Sequence, residues 1–372
     1  MPVSVRPVAG RRDLTEFIRF PGRLHRDSPC YVAPLEHERR IFFSPTKNPF
    51  HEHAAVAQFL ARDGRGEVVG RITGHIDWNY VRFHDERTGF FGFFDSVDDG
   101  EVARELLGAA ESFLRSHGMV SALGPMSFST NDEVGVLVKG FSSPPCIMMP
   151  FNHPYYDSLL QGCGYAPQRD LYAYYLENNG EMPAFLRRAA GRARRSGRIT
   201  IRHIELRNFQ RELALVKEIY NSAWERNWGF VPMTDAEIDF LAKSLKPLVD
   251  PDVVFFAFVD GAPAGLFIGL PDFNVVLKKL NGRLFPFGIF RFLLERRKID
   301  RLRVLVLGVR REFRGLGVEA VLLEEIFTRG MARGFKGAEL SWILEDNDAM
   351  NRIIGRLTPE PYRVYRVYGR DL

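Results

Sequence analysis

The sequence predicts a mixed α/β (α+β) fold that is built from two similar halves. Its 372 residues are enough for about two domains of ordinary size, each with its own core. Apolar residues make up 45% and charged residues 26% of the chain, which is typical of globular proteins and excludes disordered, collagenous and coiled-coil chains. Strand-like segments alternate with helical ones. The predicted architecture is therefore a mixed sheet flanked by helices, formed twice.

The first half combines strands with three helices. Alternating or continuous apolar character predicts strands at residues 3–8, 54–61, 68–76, 89–94, 120–123, 135–138, 147–149 and 170–176. Helices are predicted at residues 11–24, 100–116 and 154–161. The composition changes at the polar segment 177–180, so we predict a domain boundary there, with domains at 1–178 and 179–372.

The second half repeats the order of the first. Strands are predicted at residues 199–205, 253–259, 262–270, 302–309, 338–344 and 362–368. Helices are predicted at residues 209–226, 234–245, 315–333 and 347–357. An insertion at about residues 271–300 is longer than an ordinary connection between two strands.

The basic residues are concentrated, although the net charge is only +5. Residues 187–198 contain six arginines and no acid, which suits either an anionic partner or a solvated helix between domains. A second basic cluster, around Arg291 and residues 296–301, adjoins the Phe-rich segment 284–294. Charge beside exposed aromatic residues favours an anionic membrane surface over nucleic acid. Since no nucleic-acid-binding signature is present, we expect no nucleic-acid partner.

The remaining composition predicts the compartment and excludes some kinds of site. The N-terminus lacks a signal-peptide pattern, and no apolar stretch reaches the roughly 18 residues that span a bilayer. We therefore expect a cytoplasmic protein, with the inner face of the membrane as its peripheral contact. The three cysteines lack CxxC spacing, which indicates neither a disulfide framework nor a zinc site. His51 and His53 have no third ligand nearby, so we assign no metal.

The most informative segment is 302–323, where a strand and a polar turn are followed by RGLGVEAVLL at the start of a helix. A glycine-bearing turn at a helix N-terminus presents unpaired N–H groups and the positive end of the helix dipole. Such a turn binds pyrophosphate without needing side chains. The same residues also fit an ordinary strand, turn and helix with two incidental glycines.

This segment resembles the acyl-CoA loop of the GNAT superfamily of N-acetyltransferases, in which Arg-x-x-Gly-x-Gly/Ala follows the fourth strand. Arg314 and Gly317 match, whereas Glu319 stands where the family has Gly or Ala. The resemblance implies that acyl-CoA binds as a cosubstrate and not as a permanent cofactor. The implied contact residues lie on the strand, in the loop and before the next helix: Leu307, Gly308, Val309, Arg314, Gly315, Leu316, Gly317, Val318 and Asn347.

The resemblance also implies a general acid, but the family's tyrosine position falls on Ile354. Among the tyrosines of the last strand we choose Tyr365 as the catalytic candidate. Regularly spaced tyrosines on a strand fit packing equally well. A thiolate is a good leaving group, since a free thiol has a pKa of about 8.5, so loss of the acid need not abolish turnover.

The whole chain resembles a bacterial two-repeat acyltransferase family that includes bacterial ceramide synthase-like proteins. The matching segments are NPFHEHAAVAQFLAR, GFFGFFDSVDD, GPMSFSTNDEVGVLVKGF, NSAWERNWGFVP and LPDFNVVLKKLNGRL. The resemblance implies tandem GNAT-like repeats, the first of them degenerate, and a CoA-dependent N-acyltransferase that transfers a long-chain acyl group to a sphingoid base. Two alternatives stay open: an N-acetyltransferase acting on a small soluble amine or peptide, and a non-catalytic protein that binds lipid or membrane surfaces.

The amine in this reaction must lose a proton before it attacks a thioester, so a carboxylate is expected near the acyl site. Asp272 opens the insertion and Glu339 lies on the strand beside the loop, and each also fits a structural hydrogen-bonding role. The phenylalanines of the insertion fit an acyl channel at a membrane surface or packing on the first repeat. The substrate-binding candidates are Asn227, Trp228, Asn274, Phe287 and Phe290.

Overall fold

The computed structural model describes residues 2–224 and 227–372 of the chain. Within these residues, thirteen strands join into one continuous mixed sheet, and helices pack against it. This architecture confirms the predicted fold class. The first half contributes strands β1 (Ser4–Pro7), β2 (Ala54–Arg62), β3 (Val68–Asp77), β4 (Thr88–Ser96), β5 (Ser121–Gly124), β6 (Val136–Lys139) and β7 (Ala166–Glu177). Its helices are α1 (Gly10–Leu24), α2 (Glu36–Phe42), α3 (Trp78–His84), α4 (Gly100–Ser116) and α5 (Tyr156–Gly162).

The second half has the same alternation of strands and helices. Its strands are β8 (Ile199–His203), β9 (Val254–Val259), β10 (Ala262–Pro271), β11 (Arg301–Val309), β12 (Gly337–Leu344) and β13 (Arg363–Asp371). Its helices are α6 (Ala184–Arg195), α7 (Phe209–Trp224), α8 (Asp235–Leu245), α9 (Asn274–Leu277), α10 (Gly288–Glu295), α11 (Val318–Ala332) and α12 (Asp348–Ile354). The last two residues of the helix predicted at 209–226 lie outside the described residues.

The two halves share strands at the middle of the sheet. The strand order is β1-β2-β3-β4-β5-β13-β7-β12-β11-β10-β9-β8, and β6 pairs with β13 off this path. The last strand of the chain, β13, therefore lies between β5 and β7 of the first half. In turn, β7 pairs with β12 of the second half. The domain boundary predicted at residue 178 stays a prediction.

Each half contains one parallel strand pair, and a helix connects its two strands. In the first half, α4 connects β4 and β5, and its apolar face buries Leu106, Leu107 and Leu114 against the sheet. In the second half, α11 connects β11 and β12 and buries Val318 and Leu322. Two parallel strands can be joined only by a crossover connection, which the helix supplies. The apolar face of the helix packs against the sheet.

One predicted element is wrong. Residues 147–149 were expected to form a strand, but they form a turn without a strand partner among the described residues. The backbone of Ile147 is bonded to side chains instead: its N–H donates to Asp272 Oδ1 and its carbonyl accepts from Arg303 Nη1. Most of the basic run 187–198 lies in α6, a helix that packs against α11.

Candidate active site

The candidate site is a cavity at the point where β11 and β12 separate. The strands pair only over Arg301–Val304 and Gly337–Leu340, although both continue further, to Val309 and Leu344. A cavity of about 280 Å³ lies at this fork, bounded also by α7, α8 and β10. Its walls are mostly apolar and include Leu213, Val216, Ile238, Leu241, Leu245, Leu270, Leu305, Val306 and Leu344.

The polar part of the cavity wall comes from both halves of the chain. Asn227 and Trp228, predicted to bind substrate, line the cavity. Asn131 and Asp132 line it from the first half. Glu212 also lines it, but the Glu212 carboxylate forms an ion pair with Arg202 at 3.0 Å.

Arg303 bridges the fork between the two strands. Its Nε donates to Ser341 Oγ at 3.0 Å, and its Nη1 donates to the Ile147 carbonyl at 2.7 Å. The guanidinium also lies over the ring of Trp342, with 5.3 Å from Cζ to the ring centroid. Burial lowers the pKa of Arg303, and the charge of Glu339 acts in the opposite direction. Arg303 and Ser341 both line the cavity, so this bridge forms part of its floor.

Glu339 lies behind Ser341 and has no exposed surface. Ser341 Oγ donates to Glu339 Oε1 at 2.6 Å, and the Tyr362 hydroxyl donates to Oε2. Glu339 is not among the described residues that line the cavity. Its carboxylate is therefore linked to the cavity through the hydroxyl of Ser341.

Asp272 holds the turn at residues 145–149 of the first half. Its Oδ1 accepts from the Ile147 N–H at 2.9 Å and from the Asn274 N–H at 3.2 Å. Asn274 Nδ2 in turn donates to the Pro145 carbonyl at 2.9 Å. Burial and the neighbouring Glu339 raise the pKa of Asp272 to about 6. These contacts position the turn, and the predicted roles of Asp272 and Asn274 in catalysis and substrate binding stay predictions.

Tyr365, the predicted acid, is fully buried in β13. Its hydroxyl accepts from Arg363 Nη1 at 3.5 Å, and its ring packs edge-on against Trp342. Burial raises the pKa of Tyr365, so the phenol holds its proton more tightly than usual. Tyr365 is not among the described residues that line the cavity. Ile354, at the family's tyrosine position, is buried in an apolar cluster.

The loop between β11 and α11 has the geometry of an anion-binding turn. Gly315 and Gly317 have φ values of 80° and 83°, which residues with a β-carbon rarely adopt. Among the described residues, no side chain caps α11 at Gly317, so its first N–H groups are free to bind an anion. The guanidinium of Arg314 donates to the carbonyls of Val309, at 3.2 Å, and Ala223, at 2.9 Å. Leu316 is exposed, and Val318 is buried at the start of the helix.

The basic helix α6 lies directly beside this loop. A β-carbon at Gly317 would lie 2.8 Å from the β-carbon of Ala193 in α6. Arg194 pairs with Glu324 and Glu325 on α11, which fixes the two helices together. The arginines of α6 that have no ion pair among the described residues are Arg187, Arg188, Arg192 and Arg195.

An aromatic pair connects β11 to the first half. A β-carbon at Gly308, between Leu307 and Val309, would overlap the indole of Trp224, so glycine is needed there. Trp224 stacks on Tyr220, with 4.8 Å between ring centroids. The Tyr220 hydroxyl donates to Asn131 Oδ1 at 2.6 Å.

Asn347 ends the other arm of the fork. It follows β12, and its side chain caps α12 by accepting from the Met350 N–H at 3.2 Å. The residues predicted to contact CoA therefore lie at the ends of the two separated strands: residues 307–318 at the end of β11 and in the loop after it, and Asn347 after β12. Their contact with CoA stays a prediction.

The Phe-rich insertion is largely exposed, and it contributes none of the described residues that line the cavity. Phe287 is 80% exposed and Phe290 is 65% exposed, both at the start of α10. The helix is attached through Phe292, whose ring stacks on Phe273 with 5.5 Å between centroids. Among the described residues, no helix combines the length and the apolar character required to cross a bilayer. The sequence also allowed these phenylalanines to pack on the first repeat. Because both rings are exposed, Phe287 and Phe290 are not buried against it.

The first-half residues at the cavity were not predicted from the sequence. Asn131 and Asp132 occur in a segment that was singled out only for its resemblance to a family, GPMSFSTNDEVGVLVKGF. Both residues lie between β5 and β6 of the first half, far in sequence from the strands of the second half that border the cavity. The sheet that the two halves share brings them to the cavity. The signal that could have identified them is a run of polar residues between apolar segments of an otherwise degenerate repeat.

Two curated proteins are similar to the chain along its whole length. Protein YghO of Escherichia coli is 37% identical over 376 residues, which cover 99% of this chain and 95% of that protein. Bacterial ceramide synthase of Caulobacter vibrioides is 37% identical over 377 residues, which cover 100% of this chain and 98% of that protein. The chain belongs to the family of these two proteins. The family predicted from the sequence is thereby confirmed, although no protein-family profile matches the chain.

Solved structures show the same fold at low sequence identity. A tandem GNAT protein from the clavulanic acid biosynthesis pathway matches with a TM-score of 0.58 and 14% identity, covering 100% of this chain and 98% of that chain. A GCN5-related N-acetyltransferase from Sphaerobacter thermophilus matches with a TM-score of 0.55 and 15% identity, covering 99% of this chain and 95% of that chain. The chain has the tandem GNAT fold, and with its family membership it is an acyltransferase.

The raised pKa of Asp272 predicts a measurable effect on stability. Because the native carboxyl holds its proton up to about pH 6 and an unfolded one only to about pH 3.9, folding stability falls as the pH rises through this window. Asp272→Asn removes that fall. Calorimetric melting between pH 4 and pH 7 should therefore show a smaller decline for the variant than for the wild type. Asp98→Asn, at an exposed carboxylate, is the matched control. Parallel curves for Asp272→Asn and the wild type would contradict the assignment.

Proposed function

We propose that this protein transfers a long-chain acyl group from acyl-CoA to the amine of a sphingoid base. The cavity at the strand fork is the observation that supports this most directly, because its walls are mostly apolar and suit an alkyl chain. An acetyl group needs no apolar space of this extent. The relative named bacterial ceramide synthase, 37% identical along the whole chain, supports the amine substrate.

Acyl-CoA fits along the arms of the fork in this proposal. The free N–H groups at Gly317 and Val318 bind the pyrophosphate at the start of α11, with the unpaired arginines of α6 nearby. Among the described residues, β11 has no parallel pairing with β12 beyond Val304. Backbone N–H groups on that edge, near Gly308 and Val309, are available to polarise the thioester carbonyl. The acyl chain then extends into the cavity.

The reaction forms one C–N bond and breaks one C–S bond. The substrate enters as an ammonium ion and must lose a proton before its lone pair attacks the thioester carbon. The second proton lost by nitrogen goes to the departing CoA thiolate, which needs little help because its basicity is near neutral. Of the carboxylates predicted from the sequence, Glu339 is linked to the cavity through Ser341, whereas Asp272 is bonded to backbone N–H groups.

The loop assignment predicts a specific loss of CoA affinity. Gly317→Val places a branched side chain where phosphate oxygens approach, so binding should weaken by at least about tenfold, or about 1.4 kcal/mol. The same variant meets Ala193, so its melting temperature should also fall. Gly334→Val is the control for backbone strain, because Gly334 also has a positive φ but lies beyond the other end of α11, where a β-carbon would meet no neighbour among the described residues. Calorimetric titration with CoA that gives Gly317→Val the same affinity as Gly334→Val would overturn the loop assignment.

The cavity assignment predicts a change in chain-length preference. Leu305→Trp fills the cavity beside the fork, so release of CoA from palmitoyl-CoA with sphinganine should fall at least about tenfold relative to release from acetyl-CoA. Val120→Trp, at an exposed position of the first half, should leave the ratio unchanged. A wild type that uses only acetyl-CoA would support the short-chain alternative. Release from neither thioester would support the non-catalytic alternative.

We also propose that α10 contacts an anionic membrane surface, where a sphingoid base resides. The exposed apolar side chains Phe285, Phe287, Phe290 and Leu294 form one end of the insertion, and the basic residues 296–298 follow directly. Each lysine or arginine near an anionic surface contributes about 1 kcal/mol, and inserted aromatic rings add apolar burial. Together these contributions support reversible binding.

The membrane contact predicts a binding defect without unfolding. Replacing Phe287 and Phe290 by serine should abolish pelleting with phosphatidylserine vesicles and leave the melting temperature unchanged, since both rings are exposed. Wild-type pelleting should weaken as salt screens the basic residues. Phe83→Ser, at an exposed phenylalanine of α3, serves as the control. Undiminished pelleting of the double variant would contradict the contact.

A further inference from the structure

We propose that Asp132, supplied by the first half of the chain, takes the proton from the substrate amine in the cavity of the second half. This inference rests on the proposed amine acylation. It assigns a catalytic group to the repeat that has no CoA loop.

Asp132 faces the cavity and has little else to bind. Asp132 lines the cavity wall, and among the described residues the one hydrogen bond to its carboxylate is from Ser129 Oγ to Oδ2, at 3.0 Å. The backbone around it is already satisfied, because the Asp132 N–H donates to the Ser129 carbonyl and the Asn131 N–H donates to Ser129 Oγ. The other carboxylate oxygen is thus available to a cation inside the cavity.

The other acids near the cavity are already engaged. Glu212 lines the cavity but has both oxygens within 3.0 Å of Arg202 Nη1. Glu339 is sealed behind Ser341 and Tyr362, and Asp272 accepts from two backbone N–H groups. A buried ammonium needs a carboxylate partner, and Asp132 meets that need without breaking an existing pair.

The surroundings of Asp132 make it a stronger base than an ordinary carboxylate. Burial raises the pKa of Asp132 to about 7, against the hydrogen bond from Ser129, and Glu133 raises it further. Arg39 on α2 acts in the opposite direction but is paired with Glu133. Glu237 on α8 adds a small repulsion. A base with a pKa near the working pH accepts a proton most effectively.

The same loop is connected to the acyl end of the site. Tyr220 on α7 donates to Asn131, and Tyr220 stacks on Trp224, whose indole lies against Gly308 of β11. Two aromatic rings therefore separate the residue next to Asp132 from the backbone that borders the proposed thioester. This arrangement brings a base of one repeat and an acyl site of the other to a single cavity.

The step balances with the groups present. The ammonium gives one proton to Asp132, the nitrogen lone pair forms the amide bond, and the C–S bond breaks. The second proton of the nitrogen passes to the thiolate, which leaves as CoA thiol. Asp132 then releases its proton to water before the next turnover.

The test compares four variants of the full chain, Asp132→Asn, Asp98→Asn, Ser129→Ala and Glu339→Gln, with palmitoyl-CoA and sphinganine between pH 6 and pH 10. Asp132→Asn should lower kcat by about 10² or more at neutral pH, and the loss should shrink towards pH 10, where the amine is already neutral. The affinity for palmitoyl-CoA should stay within about twofold of the wild-type value. Asp98→Asn, which replaces an exposed carboxylate, should have the kcat of the wild type at every pH. Ser129→Ala should move the acidic limb of kcat/KM to higher pH, because it removes the hydrogen bond that lowers the pKa of Asp132.

The outcomes are distinguishable. Wild-type kinetics in Asp132→Asn, or an acidic limb that does not move in Ser129→Ala, would overturn the role of Asp132 while leaving the proposed function intact. If Asp132→Asn fails to fold, the Ser129→Ala limb decides. A wild type that releases no CoA with sphinganine would overturn the proposed function and this inference together. Strong loss in Glu339→Gln with normal Asp132→Asn would assign the proton to the Ser341 relay instead.

Discussion

The position of Arg303 is the constraint on which the site depends. Arg303 occupies one of the last paired positions of β11, opposite Glu339 on β12. Its guanidinium reaches across to Ser341, just beyond the paired region, and to the Ile147 carbonyl of the first half. A buried cation that lost these partners would cost several kcal/mol, so the fork has one favourable geometry. Arg303 therefore holds the point at which the two strands separate, and this point determines where the cavity lies.

The polar cluster around Arg303 also explains how a degenerate repeat serves the site. Asp272, Asn274 and Arg363 all bond to backbone atoms of residues 143–147. Strands β13 and β7 add continuous main-chain pairing between the halves. The first half is held rigidly against the second, which allows its loop at residues 129–132 to form part of the cavity wall. Neither half encloses this cavity alone.

Local signals in the sequence predicted much of the fold. The alternation of apolar residues located β2, β3 and β4, and the glycine turn after β11 located the start of α11, because each depends on neighbouring residues only. The strand expected at 147–149 failed because Asp272 and Arg303, distant in sequence, bind the backbone of Ile147. The insertion of β13 between β5 and β7 has no local signal, since it depends on pairing across more than half the chain. Asp132 was missed for the same reason. Asn227 and Trp228 line the cavity, and their predicted contact with substrate stays a prediction.

In the proposed reaction, the cavity at the fork holds the acyl chain of the CoA thioester. The most direct measurement is photo-crosslinking with a palmitoyl-CoA analogue that carries a diazirine at the end of its chain, followed by peptide mapping by mass spectrometry. If the acyl chain lies in the cavity, crosslinks form on cavity-wall residues such as Leu241 of α8 and Leu344 of β12, and unlabelled palmitoyl-CoA reduces their yield. Crosslinks confined to the exposed phenylalanines of α10, or to the outer faces of the first half, would contradict this location of the chain.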